Sequence, residues 1–467
     1  MEPLYVFEDN YGHKHYLIKE ISRGGQGAVF RTTDKNIAVK ICLNNNTPVL
    51  DDTQNLTFNK IRLMPFPETL NITLPRAILK GASGYVMELL ENMDSFDDIF
   101  NTKKYTPVSN KWLKIIEKDN KECANDLGRY AASGGSRRRL ELYLRFADLL
   151  TKLHCTGLVY CDVSSRNIFG SSDPKKSNVW LIDSDNVNYQ EVTISGQNAF
   201  YTPGYGAPEL IDQGIASMYS DSYAFTISFF WDLTMSHPFK GKRLDELCGE
   251  DFDNTAEDAL YSGNEPWILD SEDDSNYGEP SIPAEFIFSK PMMDIFQRMF
   301  SKESRLEDSM ARPTMPEITE EIAHLTDTTV QCAECGMQSV YHEKCPWCNA
   351  KQRTLKLVSH YNTQSGKKRT LWTFIREFPE NCKINIPYRI ISGLISDSID
   401  KTAFSIASQS DGIAITDFSF DLNASVKENN SEYKRIFGSY RTKEDSFVII
   451  IENDSTTGVI IEGSVIN

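Results

Sequence analysis

The sequence predicts an α+β chain made of several consecutive parts, and three observations carry that prediction. Residues 1–90 contain strand-like runs on both sides of a glycine-rich turn. The middle of the chain contains long apolar segments with helical spacing, among them an amphipathic stretch from Arg137 to His154. Two Cys-x2-Cys pairs then precede a tail of short β-branched and aromatic runs separated by turn residues, which is typical of strands.

Composition narrows the class of protein. A chain of 467 residues with 40% hydrophobic residues allows about three domains with real cores. The net charge of −17 argues against a nucleic-acid partner, so Arg137-Arg138-Arg139 is interpreted as a solvated helix start. The longest apolar run, Ala224 to Leu233, is too short to span a bilayer. With no signal-peptide pattern either, we expect a cytoplasmic protein without a membrane partner.

The first motif lies near the N-terminus. Ile21 to Val29 reads as a strand, the turn Arg-Gly-Gly-Gln-Gly-Ala, and a second strand, and an apolar strand ending in Lys40 follows. Glycines lack the Cβ that would keep a ligand away from the backbone N–H groups. A glycine-rich loop alone is more often an ordinary hairpin, and a single lysine is more often a surface residue. Because the lysine ends an apolar strand that follows the glycine-rich loop, we interpret both as functional residues.

The second motif lies in the middle of the chain. The stretch Val159 to Asn167 contains Asp162 and Asn167, and the apolar run Leu181-Ile182 ends in Asp183, sixteen residues after Asn167. Carboxylate and amide oxygens are suitable ligands for Mg²⁺. Two acids and an amide at this spacing can occur by chance, so other motifs of the chain must show whether they form a site.

Taken in order, these motifs resemble those of protein kinases. Further matches follow downstream in the expected order, at Gly206–Glu209, Ser220–Phe225, His237–Phe239 and Ala311–Pro313. The resemblance covers Met1 to about Thr328. It implies a two-lobed protein-kinase fold with an N-lobe at residues 1–90 and a C-lobe at 91–328, in which Arg312 pairs with Glu209.

The resemblance also implies an activity. An ATP-dependent kinase would transfer the γ-phosphoryl group to Ser or Thr hydroxyls of a protein substrate, with Asp162 accepting the hydroxyl proton and Lys40 positioning the α- and β-phosphates. Asn167 and Asp183 would hold Mg²⁺, or Mn²⁺ in its place. The nucleotide would be surrounded by Ser22, Gly24, Gly25, Gly27, Val29, Ala38, Lys40, the gatekeeper Met87, Glu88 and Leu90.

The motif around the predicted base departs from the kinase pattern. Tyr160-Cys161 replaces His-Arg, Ser164 replaces a lysine, and Ser184-Asp185 replaces Phe-Gly. The lost arginine normally binds a phosphate on the activation loop, so we expect activity that does not require phosphorylation of that loop. Arg166 could supply the charge that Ser164 lacks.

One departure, at Lys40, weakens the case for catalysis more than the others. A helix is expected between Asp51 and Met64, and the position aligned with the kinase glutamate that pairs with this lysine holds Asn59. Lys40 would then lack an ion-pair partner. The rival hypothesis is therefore a nucleotide-binding pseudokinase scaffold, although such proteins usually lose Lys40, Asp162 or Asp183.

The four cysteines of the two Cys-x2-Cys pairs predict a structural Zn²⁺ site. Two such pairs with nine residues between them suit a closed tetrahedral site, which we place in a zinc ribbon at residues 329–353. A redox pair is the alternative, and His342 could replace one ligand. The predicted ligands are Cys332, Cys335, Cys345 and Cys348.

The tail at residues 354–467 is predicted to be a β-rich interaction domain, a small sandwich or barrel. The predicted strands are Leu355–Tyr361, Arg369–Phe374, Ile413–Phe418, Phe447–Glu452 and Gly458–Val465. The combination of kinase, zinc ribbon and tail resembles bacterial kinases of tellurite-resistance and stress loci. By that resemblance, the partners would include a von Willebrand-type protein and a metal-dependent phosphatase.

Overall fold

The structure is a computed structural model. It describes the chain except at residues 1–2, 25–26, 191, 194–200, 249–260, 262, 364–366, 396–398, 420–421, 429–431, 453–457 and 467.

The N-terminal strands close into a barrel. The strands are β1 (Tyr5–Asp9), β2 (Lys14–Gly24), β3 (Gly27–Thr32), β4 (Ile37–Ile41), the short pair β5 (Leu43–Asn44) and β6 (Thr47–Pro48), β7 (Ala77–Lys80) and β8 (Gly84–Glu88). The barrel order is β1-β2-β3-β4-β8-β7, and Glu8 of β1 pairs with Lys80 of β7 to complete it. Leu17, Phe30 and Val39 fill the interior, and along β2 and β3 the side chains alternate between this interior and a more exposed face.

Helix α1 (Asp52–Arg62) lies within the segment predicted to be helical. Asp51 caps its N-terminus by accepting a hydrogen bond from the Thr53 backbone at 2.8 Å. Phe58, one of its buried residues, packs edge-on against Tyr85 of β8 with ring centroids 5.0 Å apart. The helix is therefore held to the barrel by apolar contacts.

The middle of the chain is mainly helical. Its helices are α2 (Phe96–Phe100), α3 (Lys111–Asp119), α4 (Lys121–Ala132), α5 (Gly135–His154), α6 (Pro208–Gln213), α7 (Met218–Thr234), α8 (Lys242–Cys248), α9 (Ala284–Ile287), α10 (Lys290–Phe300) and α11 (Met315–Thr328). Most residues of α5 and α7 are buried, and their rings meet where Tyr143 packs against Phe225 and Phe229. Among the described residues, no helix has the length and apolar character that crossing a membrane requires.

Short strands of this region carry the second motif. They are β9 (Met93–Ser95), β10 (Leu158–Val159), β11 (Ile168–Ser171), β12 (Val179–Leu181), β13 (Asn188–Tyr189), β14 (Val192–Thr193) and β15 (Ile215–Ala216). Asp162 and Asn167 lie in the loop between β10 and β11, and Asp183 lies just after β12. Since β11 and β12 pair antiparallel, the end of β12 lies beside the start of β11, which brings Asp183 close to that loop.

The three consecutive arginines at the start of α5 are not solvated as expected. Arg139 is fully buried, and its guanidinium lies 4.1 Å from the ring centroid of Tyr130. Arg137 forms two hydrogen bonds with Glu377, at 2.8 and 2.7 Å. The interpretation as a solvated helix start was wrong because the planar guanidinium can stack on a ring and bind a carboxylate inside an interface.

The C-terminal part consists of antiparallel sheets. Its elements are β16 (Thr329–Gln331), β17 (Gln338–Val340), β18 (Thr354–Asn362), β19 (Lys368–Glu377), β20 (Lys383–Pro387), α12 (Arg389–Ser392), β21 (Thr402–Gln409), β22 (Gly412–Thr416), β23 (Asn423–Lys427), β24 (Lys434–Arg435), β25 (Ser439–Thr442), β26 (Ser446–Glu452) and β27 (Val459–Ile466). One sheet has the order β19-β18-β27-β26-β23-β24, and another has the order β20-β21-β22-β25. Each of the five predicted runs overlaps a strand, although Asp417, Phe418 and Gly458 lie beyond the strand ends. Inward residues of both sheets share one core.

A buried ion pair joins the helical part to these sheets. The Asp327 carboxylate, at the end of α11, accepts two hydrogen bonds from Arg389 of α12, both at 2.6 Å. It also accepts one from the Trp372 indole at 2.7 Å. Asp327 is 1% exposed, so its charge depends on these donors.

This arrangement predicts a large effect for Asp327→Asn. The change should lower the free energy of unfolding by about 3 kcal/mol because it leaves the Arg389 charge buried without its counter-charge. The control is Asp400→Asn, since Asp400 also pairs with an arginine, Arg145, but is 77% exposed. Its change should cost less than about 1 kcal/mol. Thermal unfolding followed by circular dichroism compares the two, and equal melting temperatures would contradict the account.

Candidate active site

The strand register places the predicted nucleotide-binding side chains on one face of the barrel wall. Residues directly opposite each other in an antiparallel pair point to the same face. Val29 lies opposite both Ser22 and Lys40, Lys40 lies opposite Tyr85, and Ala38 lies opposite Met87. The face therefore carries Ser22, Val29, Ala38, Lys40, Tyr85 and Met87.

The glycines of the first motif serve different purposes. Gly24 pairs with Gly27 across the hairpin, and a Cβ on Gly24 would meet open space. Gly27 has φ of 148°, and a Cβ there would lie 2.1 Å from the Ile41 carbonyl oxygen. The close approach of β3 to β4 is therefore enough to require glycine at position 27, whether or not a ligand binds there. Gly25 lies outside the described residues.

The segment after β8 follows the edge of the same face. The Leu89 backbone N–H donates to the Asn36 carbonyl at 2.9 Å, which fixes the chain direction there. Met87 and Leu90 are half-buried, whereas Glu88 is exposed and approaches Arg76 at 3.8 Å. The backbone of residues 88–90 is thereby held beside the face that carries Ala38.

Lys40 reaches the helical part of the molecule. Its ammonium contacts the Asp183 carboxylate and donates to Asp185 Oδ2 at 2.5 Å. Only 8% of the lysine side chain is exposed. Burial alone would lower the pKa of Lys40, but the carboxylates of Asp185 and Asp183 outweigh burial and raise it. The lysine is charged at neutral pH.

The expectation that Lys40 lacks an ion-pair partner was wrong. Asn59 lies on α1, but an acid from another element, Asp185 in the turn Ser184–Asn186, supplies the charge. An acid two residues after a predicted metal ligand gave no signal in the sequence beyond its replacing a glycine. Its burial beneath Lys40 depends on the packing of the two lobes.

Asp162 is surrounded by hydrogen-bond donors. Its Oδ2 accepts from the Asn167 amide at 2.9 Å, and its Oδ1 accepts from the Thr202 hydroxyl at 2.9 Å. Burial raises the pKa of Asp162, although these two hydrogen bonds oppose the rise. The predicted base thus lies in direct contact with Asn167.

Asp221 of α7 holds the loop that carries Asp162. This fully buried carboxylate accepts hydrogen bonds from the backbone N–H groups of Tyr160 and Cys161, at 2.6 and 2.8 Å. It also lies within hydrogen-bond distance of the His154 ring nitrogen Nε2, at 3.0 Å. Cys161 has φ of 70°, a conformation that side chains other than glycine seldom adopt. The hydrogen bonds offset this strain just before Asp162.

Tyr160 replaces the usual histidine and fixes the backbone around the site. Its hydroxyl donates to the Asn167 carbonyl at 3.2 Å and to the Ile182 carbonyl. The ring therefore connects the loop of Asp162 to the end of β12, where Asp183 lies. Asp183 itself has φ of 58°.

The segment after the site is fixed by a predicted ion pair. Arg312 forms two hydrogen bonds with the Glu209 carboxylate, at 2.7 and 2.8 Å, and its side chain is fully buried. This confirms the pairing that the sequence implied. Bidentate geometry of this kind is strong and directional.

The four predicted zinc ligands lie together. Their Sγ atoms all lie within 4.8 Å of one another. Cys332 Sγ is 3.6 Å from Cys348 Sγ, and Cys335 Sγ is 3.7 Å from Cys345 Sγ. These distances are far longer than a disulfide bond of about 2 Å. They suit four thiolates around a zinc ion at Zn–S distances of about 2.3 Å.

The comparisons with known proteins agree with this geometry. Residues 17–322 match the family model described as "Protein kinase domain", and this match includes Lys40, Asp162, Asn167 and Asp183. A search of the curated proteins found no match. Since the matched segment spans more than half of the chain, the protein belongs to the protein kinase family.

Proposed function

We propose that the chain is an ATP-dependent protein kinase that transfers a phosphoryl group to Ser or Thr hydroxyls. The observation that carries the proposal is the contact between Lys40 and Asp183 across the cleft. A phosphate-binding lysine and a metal-binding acid must both face the nucleotide, one from each lobe. Their direct contact means that the cleft brings these two groups to one point.

The residues of the cleft fit a nucleotide with Mg²⁺. Asp183 is 31% exposed and can turn an oxygen towards a metal ion. The Asn167 amide oxygen can supply a second metal ligand. Mg²⁺ bound there would neutralise charge on the β- and γ-phosphates. Lys40 would bind the α- and β-phosphates, and the face carrying Ala38 and Met87 would meet the adenine.

Asp162 would act on the substrate hydroxyl. The Asn167 amide holds one carboxylate oxygen, which leaves the other to accept a hydrogen bond from the hydroxyl and then its proton as the phosphoryl group transfers. In this structure that second oxygen accepts the hydroxyl of Thr202. An aliphatic alcohol thus fits against Asp162, which supports a Ser or Thr substrate.

The rival proposal, a pseudokinase scaffold, loses its main argument. It rested on Lys40 without a counter-charge, and Lys40 has two carboxylate contacts. What still favours a scaffold is the C-terminal part, which we divide into a zinc ribbon at residues 329–353 and an interaction domain at 354–467. We propose these boundaries, a structural Zn²⁺, a cytoplasmic location and the von Willebrand-type and phosphatase partners as further expectations.

Catalysis is tested by removing single charges. Asp162→Asn should lower the rate of phosphate transfer by about a hundredfold or more, since a positioned base contributes roughly 10²–10⁴, and Asp183→Asn should abolish transfer by weakening metal binding. Labelled phosphate incorporated into a generic basic protein, or into the kinase itself, gives the rates. The control is Asp212→Asn, an exposed acid of α6. Equal incorporation by wild type and the two site variants would remove them from the mechanism.

Activity should not depend on phosphorylation of the activation loop. Position 161, where an arginine would bind the phosphate, is the buried, uncharged Cys161. The loop runs from Asp183 to Glu209 and contains Thr193, Ser195, Tyr201 and Thr202. Thr202 already donates to Asp162, and Ser195 lies outside the described residues. Phosphatase treatment, checked by mass spectrometry, should leave the initial rate unchanged. A fall of more than about tenfold would show that another cation, with Arg166 first to be examined, binds a loop phosphate.

The four-cysteine cluster should hold one zinc ion per chain. Cys345→Ser should reduce the zinc content to near zero and lower the melting temperature, because the free energy of metal binding contributes to folding. Cys123→Ser, which alters an exposed cysteine, is the matched control and should change neither. Metal analysis of the purified full-length protein decides, and a wild type without zinc would end the proposal.

A further inference from the structure

Asp185 has both carboxylate oxygens engaged by buried donors. Oδ2 accepts from the Lys40 ammonium at 2.5 Å, and Oδ1 accepts from the Tyr85 hydroxyl at 2.6 Å. Only 7% of the Asp185 side chain is exposed. Tyr85 is in turn packed against Phe58 of α1. Asp185 is therefore fixed from two sides beneath the cleft.

Asp183 differs from Asp185 in each of these respects. Its side chain is 31% exposed, and it lies at the end of β12, beside the loop of Asp162 and Asn167. A carboxylate that binds a metal ion must be able to break its ion pair with the lysine. Of the two acids that contact Lys40, Asp183 is the one with access to the cleft.

We propose that Asp185 is the permanent ion-pair partner that positions Lys40 for the nucleotide, in place of the acid that α1 does not provide at Asn59. This inference rests on the proposed kinase activity. Asp183 is the exchangeable partner, which Lys40 releases when the acid turns to a metal ion. Asp185 then keeps the ammonium beside the phosphates and supplies its counter-charge.

The burial of Asp185 argues against a metal-ligand role in this arrangement. A metal ion must be reached from the cleft, whereas only 7% of the Asp185 side chain is exposed and each of its oxygens is already held by a donor, Lys40 or Tyr85. The arrangement also replaces a connection. Helix α1 reaches Lys40 through Phe58, Tyr85 and Asp185, so the helix is connected to the lysine by an aromatic contact and a hydrogen bond instead of a direct ion pair.

The first test measures nucleotide binding by calorimetry on the purified full-length protein. Asp185→Asn, which keeps the shape and removes the charge, should raise the Kd for ATP at saturating Mg²⁺ about tenfold, the value of one hydrogen bond to a charged group. The Mg²⁺ concentration for half-maximal ATP binding should not change. Tyr85→Phe, which keeps the Asp185 charge, should raise the Kd for ATP less and in the same direction. An unchanged Kd, or a shift in the Mg²⁺ requirement alone, would overturn the proposal.

The second test does not depend on nucleotide binding or activity. An amine-selective acylating reagent is applied to the nucleotide-free protein, and the modification of Lys40 is followed by mass spectrometry, with the exposed Lys80 as the internal standard. Asp185→Asn should increase the Lys40 rate at least about fivefold relative to Lys80, because a charge-assisted hydrogen bond is lost. An unchanged ratio would overturn the inference. A wild type that binds no ATP, yet shows this increase, would contradict the kinase proposal and leave the Asp185 pairing intact.

Discussion

The buried ammonium of Lys40 is the constraint on which the arrangement of the cleft depends. A charge at 8% exposure is costly unless counter-charges and hydrogen bonds compensate it. The barrel that carries Lys40 gains these from Asp183 and Asp185, which belong to the other lobe. The two lobes are consequently held together by the same groups that the proposed chemistry needs, and the acid that pairs with the lysine also fixes Tyr85, on which Phe58 of α1 packs.

The C-lobe contributes a second rigid framework. Asp221 holds the strained backbone before Asp162, Tyr160 joins that loop to the end of β12, and Arg312 fixes the following segment through Glu209. Each of these interactions is buried, so each is strong only while its partners remain in place. The groups to which we assign binding and catalysis are therefore supported by buried pairs beneath the cleft, and preorganisation of this kind is what transition-state stabilisation requires.

Local motifs predicted more of the site than the composition did. Lys40, Asp162, Asn167 and Asp183 could be named as candidates because their motifs follow the order found in protein kinases, and the strands of the tail could be placed because β-branched runs alternate with turns. The closure of the barrel by Glu8 and Lys80, the burial of Arg139 and the partner of Lys40 could not be predicted. Each depends on residues that are distant in sequence, and periodicity carries no information about such contacts. The most consequential omission was Asp185 as the partner of Lys40, because without it the lysine was expected to lack an ion pair.

The most direct test of this account is a structure with a non-hydrolysable ATP analogue and Mg²⁺. The account predicts that Lys40 lies within hydrogen-bond distance of the α- and β-phosphate oxygens and keeps its contact with Asp185, while Asp183 and Asn167 bind the metal. A nucleotide bound with Lys40 still on Asp183, or with no metal at Asp183, would contradict it.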